Sequence, residues 1–168
     1  GTATGAAMEC YPFVVGGLWG PVVRGDVQIG GERAAAIPLQ LIDDSATPEF
    51  AAPQDCIDAA DGGLLKSVTT LQAKGVLGVG FIAQDCGQTC LGAPPPGGFV
   101  QYYTCNGGGC VPARVPADDQ LQNPVVHFAE NNNGTIIKLP AIPQTGATLV
   151  RGSLVMGIGT QANNQLPE

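Results

Sequence analysis

Glycine and proline interrupt this chain so closely that it cannot sustain helices of ordinary length. There are 25 glycines and 14 prolines among 168 residues. Glycine supplies turn conformations with positive φ, and proline stops helices and interior strands. What lies between them is short and often β-branched, which predicts a mainly β fold, mostly antiparallel. Gly20-Pro21-Val22-Val23-Arg24-Gly25-Asp26-Val27-Gln28-Ile29-Gly30-Gly31 reads as two strand pieces running into a Gly-Gly hairpin turn. Residues 35–42 read as the next strand, with Pro38 arguing that it lies at a sheet edge or begins late.

The acidic stretch 43–61 reads as loop, with one helical turn near Cys56. Leu64, Leu65, Val68 and Leu71 have helical spacing, whereas Val68, Thr69 and Thr70 favour a strand, so that stretch stays ambiguous. Residues 75–81 read as a tight buried segment, and 86–116 as an irregular, Cys-rich excursion containing Pro94-Pro95-Pro96-Gly97-Gly98 and Gly107-Gly108-Gly109. A strand over 123–129, a hairpin turn at Asn131-Asn132-Asn133-Gly134 and a paired strand over 135–139 follow. Residues 148–159 close the ordered part. The whole reads as one β-rich domain over 1–160 with a polar tail over 161–168.

Six cysteines, Cys10, Cys56, Cys86, Cys90, Cys105 and Cys110, indicate an oxidising compartment, periplasmic or secreted. Fifteen pairings are open and the sequence does not choose among them; Cys86–Cys90, Cys105–Cys110 and a long-range Cys10–Cys56 are the set expected here. Zinc sites prefer tighter Cys-x2-Cys knuckles than these x3 and x4 spacings, so disulfides are the better reading and no metal or other cofactor is called for. The opening residues lack a basic region followed by an apolar run and do not read as a signal peptide. No apolar run approaches the length that spans a bilayer. Seven basic residues against fourteen acidic ones give a net charge of -7, which repels nucleic acid and anionic membrane surfaces.

Candidate chemistry is sparse. His127 is the one histidine and lacks ligand-like neighbours, and Gly152-Ser153-Leu154 is strand sequence rather than a nucleophile elbow. Asp43-Asp44, Asp118-Asp119 and the group Asp55, Asp58 and Asp61 read as solvated acids; a calcium site in the last group would depart from the EF-hand order. Asn133-Gly134-Thr135 matches the N-glycosylation pattern, but the turn explains it without modification.

Three stretches carry a resemblance: the 20–31 segment quoted above; Lys74-Gly75-Val76-Leu77-Gly78-Val79-Gly80-Phe81; and Asn133-Gly134-Thr135-Ile136-Ile137 with Gly152-Ser153-Leu154-Val155-Met156-Gly157-Ile158-Gly159. In order and spacing they resemble the flap-side hairpin, the D-G-I-L-G-L-G segment and the lobe-boundary strands of pepsin-like aspartic proteases. The set is more closely similar to a bacterial family of exported proteins of unknown function with pepsin- or retropepsin-like features. The resemblance implies a pepsin-like β-barrel lobe or partial lobe, with Phe13 at the position of the flap tyrosine and Trp19 either lining the cleft or anchoring the core. It also implies that no catalytic residue lies in the chain, because the Asp-Thr/Ser-Gly triplet of each catalytic loop is missing. Asp85-Cys86-Gly87 has its outline without the hydroxyl. The region would lie between two catalytic loops, which the remainder of its precursor or a second chain would supply, with a peptide as ligand. The alternatives are a catalytically inert binding or structural module of the envelope and an unrelated β-sandwich.

Overall fold

The computed structural model describes residues 5–42, 49–92 and 99–166. The protein is mainly β, with antiparallel sheets and few helices. The strands are β1 (Ala6–Phe13), β2 (Gly16–Ile29), β3 (Glu32–Gln40), β4 (Tyr102–Asn106), β5 (Gly109–Pro112), β6 (Thr135–Lys138) and β7 (Ser153–Met156). Two short helices, α1 (Gln54–Ala59) and α2 (Val68–Leu71), accompany them. The first five strands form one sheet in the order β3-β2-β1-β4-β5, and β6 and β7 form a separate ribbon. Two compact units emerge: Gly1–Gly25, Ile37–Leu77 and Gln84–Gln122 in the first, and Asp26–Ala36, Gly78–Ala83 and Asn123–Glu168 in the second.

In the first unit β1 is an interior strand, antiparallel to β2 on one side and β4 on the other. Alternation sends its side chains to two faces. Met8 and Cys10 join Trp19, Cys56, Val100, Tyr103 and Cys105 in the apolar core. Trp19 lies opposite Cys10 in register and is 4% exposed. Its indole N–H donates to the Phe50 carbonyl at 2.9 Å, and its ring meets Tyr103 edge-on at 5.5 Å. Such an aromatic pair adds about 0.5–1.5 kcal/mol beyond area burial. Trp19 is therefore a core anchor with its polar handle satisfied, not a cleft-lining side chain.

Cys10–Cys56 ties α1 to β1, Cys86–Cys90 closes a 3₁₀ turn, and Cys105–Cys110 links directly opposed residues of β4 and β5. These are the expected pairings. Tyr103 reinforces the α1 attachment by donating its hydroxyl to Asp55 Oδ2 at 2.6 Å. Gly17 permits a close crossing: an added Cβ would stand 2.8 Å from that of Ala60. Beside it, Gly17 N–H donates to the Gly63 carbonyl and Leu65 N–H to the Gly17 carbonyl, so Leu64 makes a parallel bridge and the helix waits until Ser67. A Ser67–Thr70 capping box then supports the single turn α2.

The two strand pieces expected over 20–29 are one continuous strand, β2, which begins at Gly16. Gly30 and Gly31 both take positive φ, as the predicted two-residue turn needs, and β3 is an edge strand, which its proline requires. Several local expectations fail. Residues 86–116 contain the β4–β5 hairpin, because the β-prone run Tyr102-Tyr103-Thr104 pairs with β1. Residues 75–81 are mostly exposed, Phe81 fully so at 99%, and nothing lies near a Cβ added at Gly75, Gly78 or Gly80. The strand expected over 123–129 is a 3₁₀ turn, Pro124–His127: proline starts it, and the Asn123 side chain caps it by accepting from Val125 N–H at 3.0 Å. Consequently β6 pairs with β7 across a long connection, not with residues before Asn131. The expected polar tail also has a tied-down part, since Asn164 is fully buried and donates to the Met156 carbonyl.

The second unit is held largely by asparagine side chains. Asn133 bonds both the N–H and the carbonyl of Ile158, and Asn131 bonds Glu32 and Thr160. Val125 and Phe128 are its buried large apolar side chains.

Replacing Cys10 and Cys56 together by serine is expected to lower the unfolding free energy by about 4 kcal/mol, from the loop entropy that a separation of 46 residues implies. Urea denaturation checks this, and a loss below about 1 kcal/mol would mean that the reduced chain is restrained in other ways.

Candidate functional site

The second face of β1 carries a carboxyl into the interior. Glu9 pairs with Gly20 of β2 and Tyr102 of β4 and is 0% exposed. Segments 84–87 and 120–122 form the covering layer and bond to each other. Asp85 N–H donates to the Leu121 carbonyl, and the Gln120 side chain brackets Gly87, accepting from its N–H at 2.7 Å and donating to its carbonyl at 2.9 Å.

Asp85 faces Glu9 from this layer. The Gln101 side-chain amide donates to Glu9 Oε1 at 3.1 Å and also to Asp85 Oδ2. Tyr102 donates its hydroxyl to Asp85 Oδ1 at 2.8 Å and accepts from Leu121 N–H at 2.8 Å. Glu9 Oε2 receives no donor from any described residue. Burial, and then the hydrogen bond and negative charge of Asp85, hold the Glu9 carboxyl well above the usual carboxylate range, while Gln101 opposes the shift. Glu9 therefore keeps its proton in the folded state, because a second negative charge facing Asp85 in a desolvated site is strongly disfavoured. Burial, followed by the charges of Glu9 and Asp85, likewise drives the Tyr102 phenol strongly upward, so it stays a donor.

This arrangement pairs an acid with its conjugate base, the electronic requirement of a proton-sharing dyad. It lacks access: Glu9 has no exposed surface for a substrate to reach. The pair retains a proton and does not present it.

The candidates named from sequence are scattered. Phe13 ends β1 against Gly16, stacks near Tyr11 at 5.2 Å, and adjoins a hairpin tip where Val14 is 93% exposed. Trp19 lies on the opposite face of the sheet from Glu9. Asp55 is engaged by Tyr103, and Asp58 accepts from Gln54 at 2.8 Å. Among the described residues no group of three His, Cys, Asp or Glu could hold a metal. His127 is exposed at the end of its 3₁₀ turn, and Asp43 and Asp44 lie outside the described residues. Asp85 stood out in the sequence through the Asp-x-Gly outline, but Glu9 did not. Its signal is an acid within the strand Ala7-Met8-Glu9-Cys10-Tyr11, a position that must be polar-satisfied if both sheet faces are covered.

Three disulfides fit a non-cytoplasmic compartment, and among the described residues no helix is long and apolar enough to cross a membrane. A family model described as a protein of unknown function, DUF3443, matches residues 1–168. No curated protein and no solved structure matches the chain.

Tyr102→Phe removes a donor to Asp85 and the acceptor of Leu121 N–H, and is expected to cost about 1–3 kcal/mol in urea unfolding. A second expectation concerns pH. Because the folded-state value of Glu9 is raised, its stabilising contribution is complete below the ordinary glutamate range and is lost as pH rises through the raised value. The urea midpoint should therefore fall as pH rises above the ordinary glutamate range, and a midpoint rising there would contradict a raised Glu9.

Proposed function

The chain belongs to the DUF3443 family, and we propose that it is a non-catalytic part of an exported pepsin-like protein, periplasmic or secreted, supplying its flap and first-lobe strands. Peptide hydrolysis then requires Asp-Thr/Ser-Gly loops outside these 168 residues, because the sequence contains no such triplet. The observation that carries this reading is the apolar surface of the β6–β7 ribbon and its connection. Ile137, Leu139, Ile142, Leu149 and Leu154 are all exposed, Leu149 to 70%. A two-stranded ribbon is marginal in water, and a contiguous apolar surface of this kind is ordinarily covered by further strands or a partner. The β1–β2 hairpin adds support: its base is anchored by Trp19, and its tip, next to Phe13, projects Val14 and Val15 into solvent. A hairpin with a fixed root and an apolar tip is suited to lying over a bound peptide.

A second reading, a catalytically inert envelope binding or structural module, is favoured by the complete burial of Glu9. That burial withdraws the Glu9 carboxyl from any substrate.

Unreduced intact-mass analysis of the protein from its native source separates the two. The first reading expects a mass well above 17.0 kDa, or a tightly bound second chain carrying Asp-Thr/Ser-Gly, with peptide hydrolysis at acid pH only in the complete protein. A single species near 17.0 kDa, less the six hydrogens of three disulfides, would give the lead to the inert module. Exchanging Ile137 and Leu149 for serine should change the stability of the isolated chain by no more than about 0.5 kcal/mol each, while weakening whatever association the native protein shows.

A further inference from the structure

We propose that Glu9 and Asp85 form a pH-operated clasp, holding the covering layer of residues 84–91 and 115–122 on the β1–β4 face while they share a proton and releasing it when that proton leaves. The layer is a unit in itself. Gln84 bridges Gln122, Asp85 N–H bonds the Leu121 carbonyl, Gln120 brackets Gly87, and Val115 N–H donates to the Cys90 carbonyl. The Cys86–Cys90 disulfide stiffens its leading turn.

The layer's central attachment to the sheet runs through the acid pair and its immediate partners. Asp85 meets Glu9 of β1, Tyr102 of β4 and the adjoining Gln101, and Leu121 N–H meets the Tyr102 hydroxyl. Two further polar attachments are peripheral. Arg24 of β2 reaches the Asp118 carbonyl and Asp119 as an exposed ion pair, and Gln122 N–H reaches the Pro38 carbonyl at 3.4 Å. The groups facing the Glu9 carboxyl are Asp85 from the layer, the Tyr102 phenol from β4 and the uncharged Gln101 amide, while the Gln40 amide donates to the Glu9 main-chain carbonyl. The phenol stays protonated across the range in which Glu9 titrates.

Closed, the pair is one carboxylic acid donating to one carboxylate. Open, both carboxyls meet water and ionise, and one proton passes to solvent. Opening is therefore linked to one proton, and above the ordinary glutamate range its equilibrium constant rises about tenfold per pH unit until the closed pair itself titrates. An exported protein built this way keeps its layer closed in acid and loosens it towards neutrality, uncovering the polar face of β4.

Amide hydrogen exchange on the intact chain, corrected for intrinsic exchange, tests the clasp. The protection of Leu121 N–H is expected to fall, by up to about tenfold per unit, as pH rises above the ordinary glutamate range, while Cys10 N–H, bonded to the Gln101 carbonyl within the sheet, keeps its protection. Glu9→Gln, whose amide donates to Asp85 without a titrating proton, should flatten the Leu121 dependence. Asp85→Asn serves if that variant does not fold, and if neither folds, the wild-type slopes decide alone. A Leu121 protection independent of pH, a slope that survives in a folded variant, or equal losses at Leu121 and Cys10 would overturn the proposal.

Discussion

Strand β1 is covered on both of its faces over Met8–Cys10, and the first unit is organised by that constraint. An interior strand with two dry faces has no solvent side on which to place a polar residue, so each side chain must be apolar, cross-linked or fully hydrogen-bonded. Met8 and Cys10 meet the requirement on one face through the Trp19–Tyr103 core and the disulfide to α1. Glu9 meets it on the other by keeping its proton opposite Asp85. An ionised Glu9 in that position would cost several kcal/mol, so protonation is the condition on which the face is covered at all.

The two faces differ in how they respond to conditions. The Cys10–Cys56 side is covalent and apolar, and pH acts on it little. The Glu9 side is built from one acid pair, a glutamine amide, a tyrosine and a covering layer of short 3₁₀ turns and loops. Stability is therefore distributed unevenly across a single sheet, with the adjustable part confined to one face. The second unit follows yet another principle. Asparagine side chains close its turns, while apolar side chains along β6, β7 and their connection face water. Hydrogen bonds of that kind define a shape without supplying much burial, and the shape makes sense when something else completes the apolar contact.

The acid pair also bears on the pepsin-like reading. A hydrolytic dyad and the Glu9–Asp85 pair rest on the same physics, two carboxyls too close to ionise together. They differ in exposure. A dyad must face a cleft and a water, whereas Glu9 is sealed beneath its own layer. Asp85-Cys86-Gly87 carries the outline of a catalytic triplet, yet the cysteine at its centre is spent on a disulfide and the aspartate on a buried partner.

Much of the architecture was written in local chemistry. Glycine and proline spacing pointed to a short-stranded β protein, Gly30-Gly31 to a hairpin, Pro38 to an edge or a late start, and six cysteines to disulfides whose pairing stayed open. These features depend on backbone preference and short-range geometry, which a sequence displays directly. Other outcomes depended on which distant segments came to lie together. Tyr102-Tyr103-Thr104 became a strand because β1 offered an edge, Asn123-Pro124 became a 3₁₀ turn because its cap prevailed over β-branched neighbours, and residues 75–81 stayed exposed although they are apolar. The acid pair lay furthest from view. Glu9 and Asp85 are separated by most of the first unit, and neither is unusual alone. Composition and spacing determined the class of fold and the presence of cross-links, but only the tertiary structure decided that a glutamate would be shut away from water opposite an aspartate, because desolvation and proximity are properties of the folded surroundings and not of the residues.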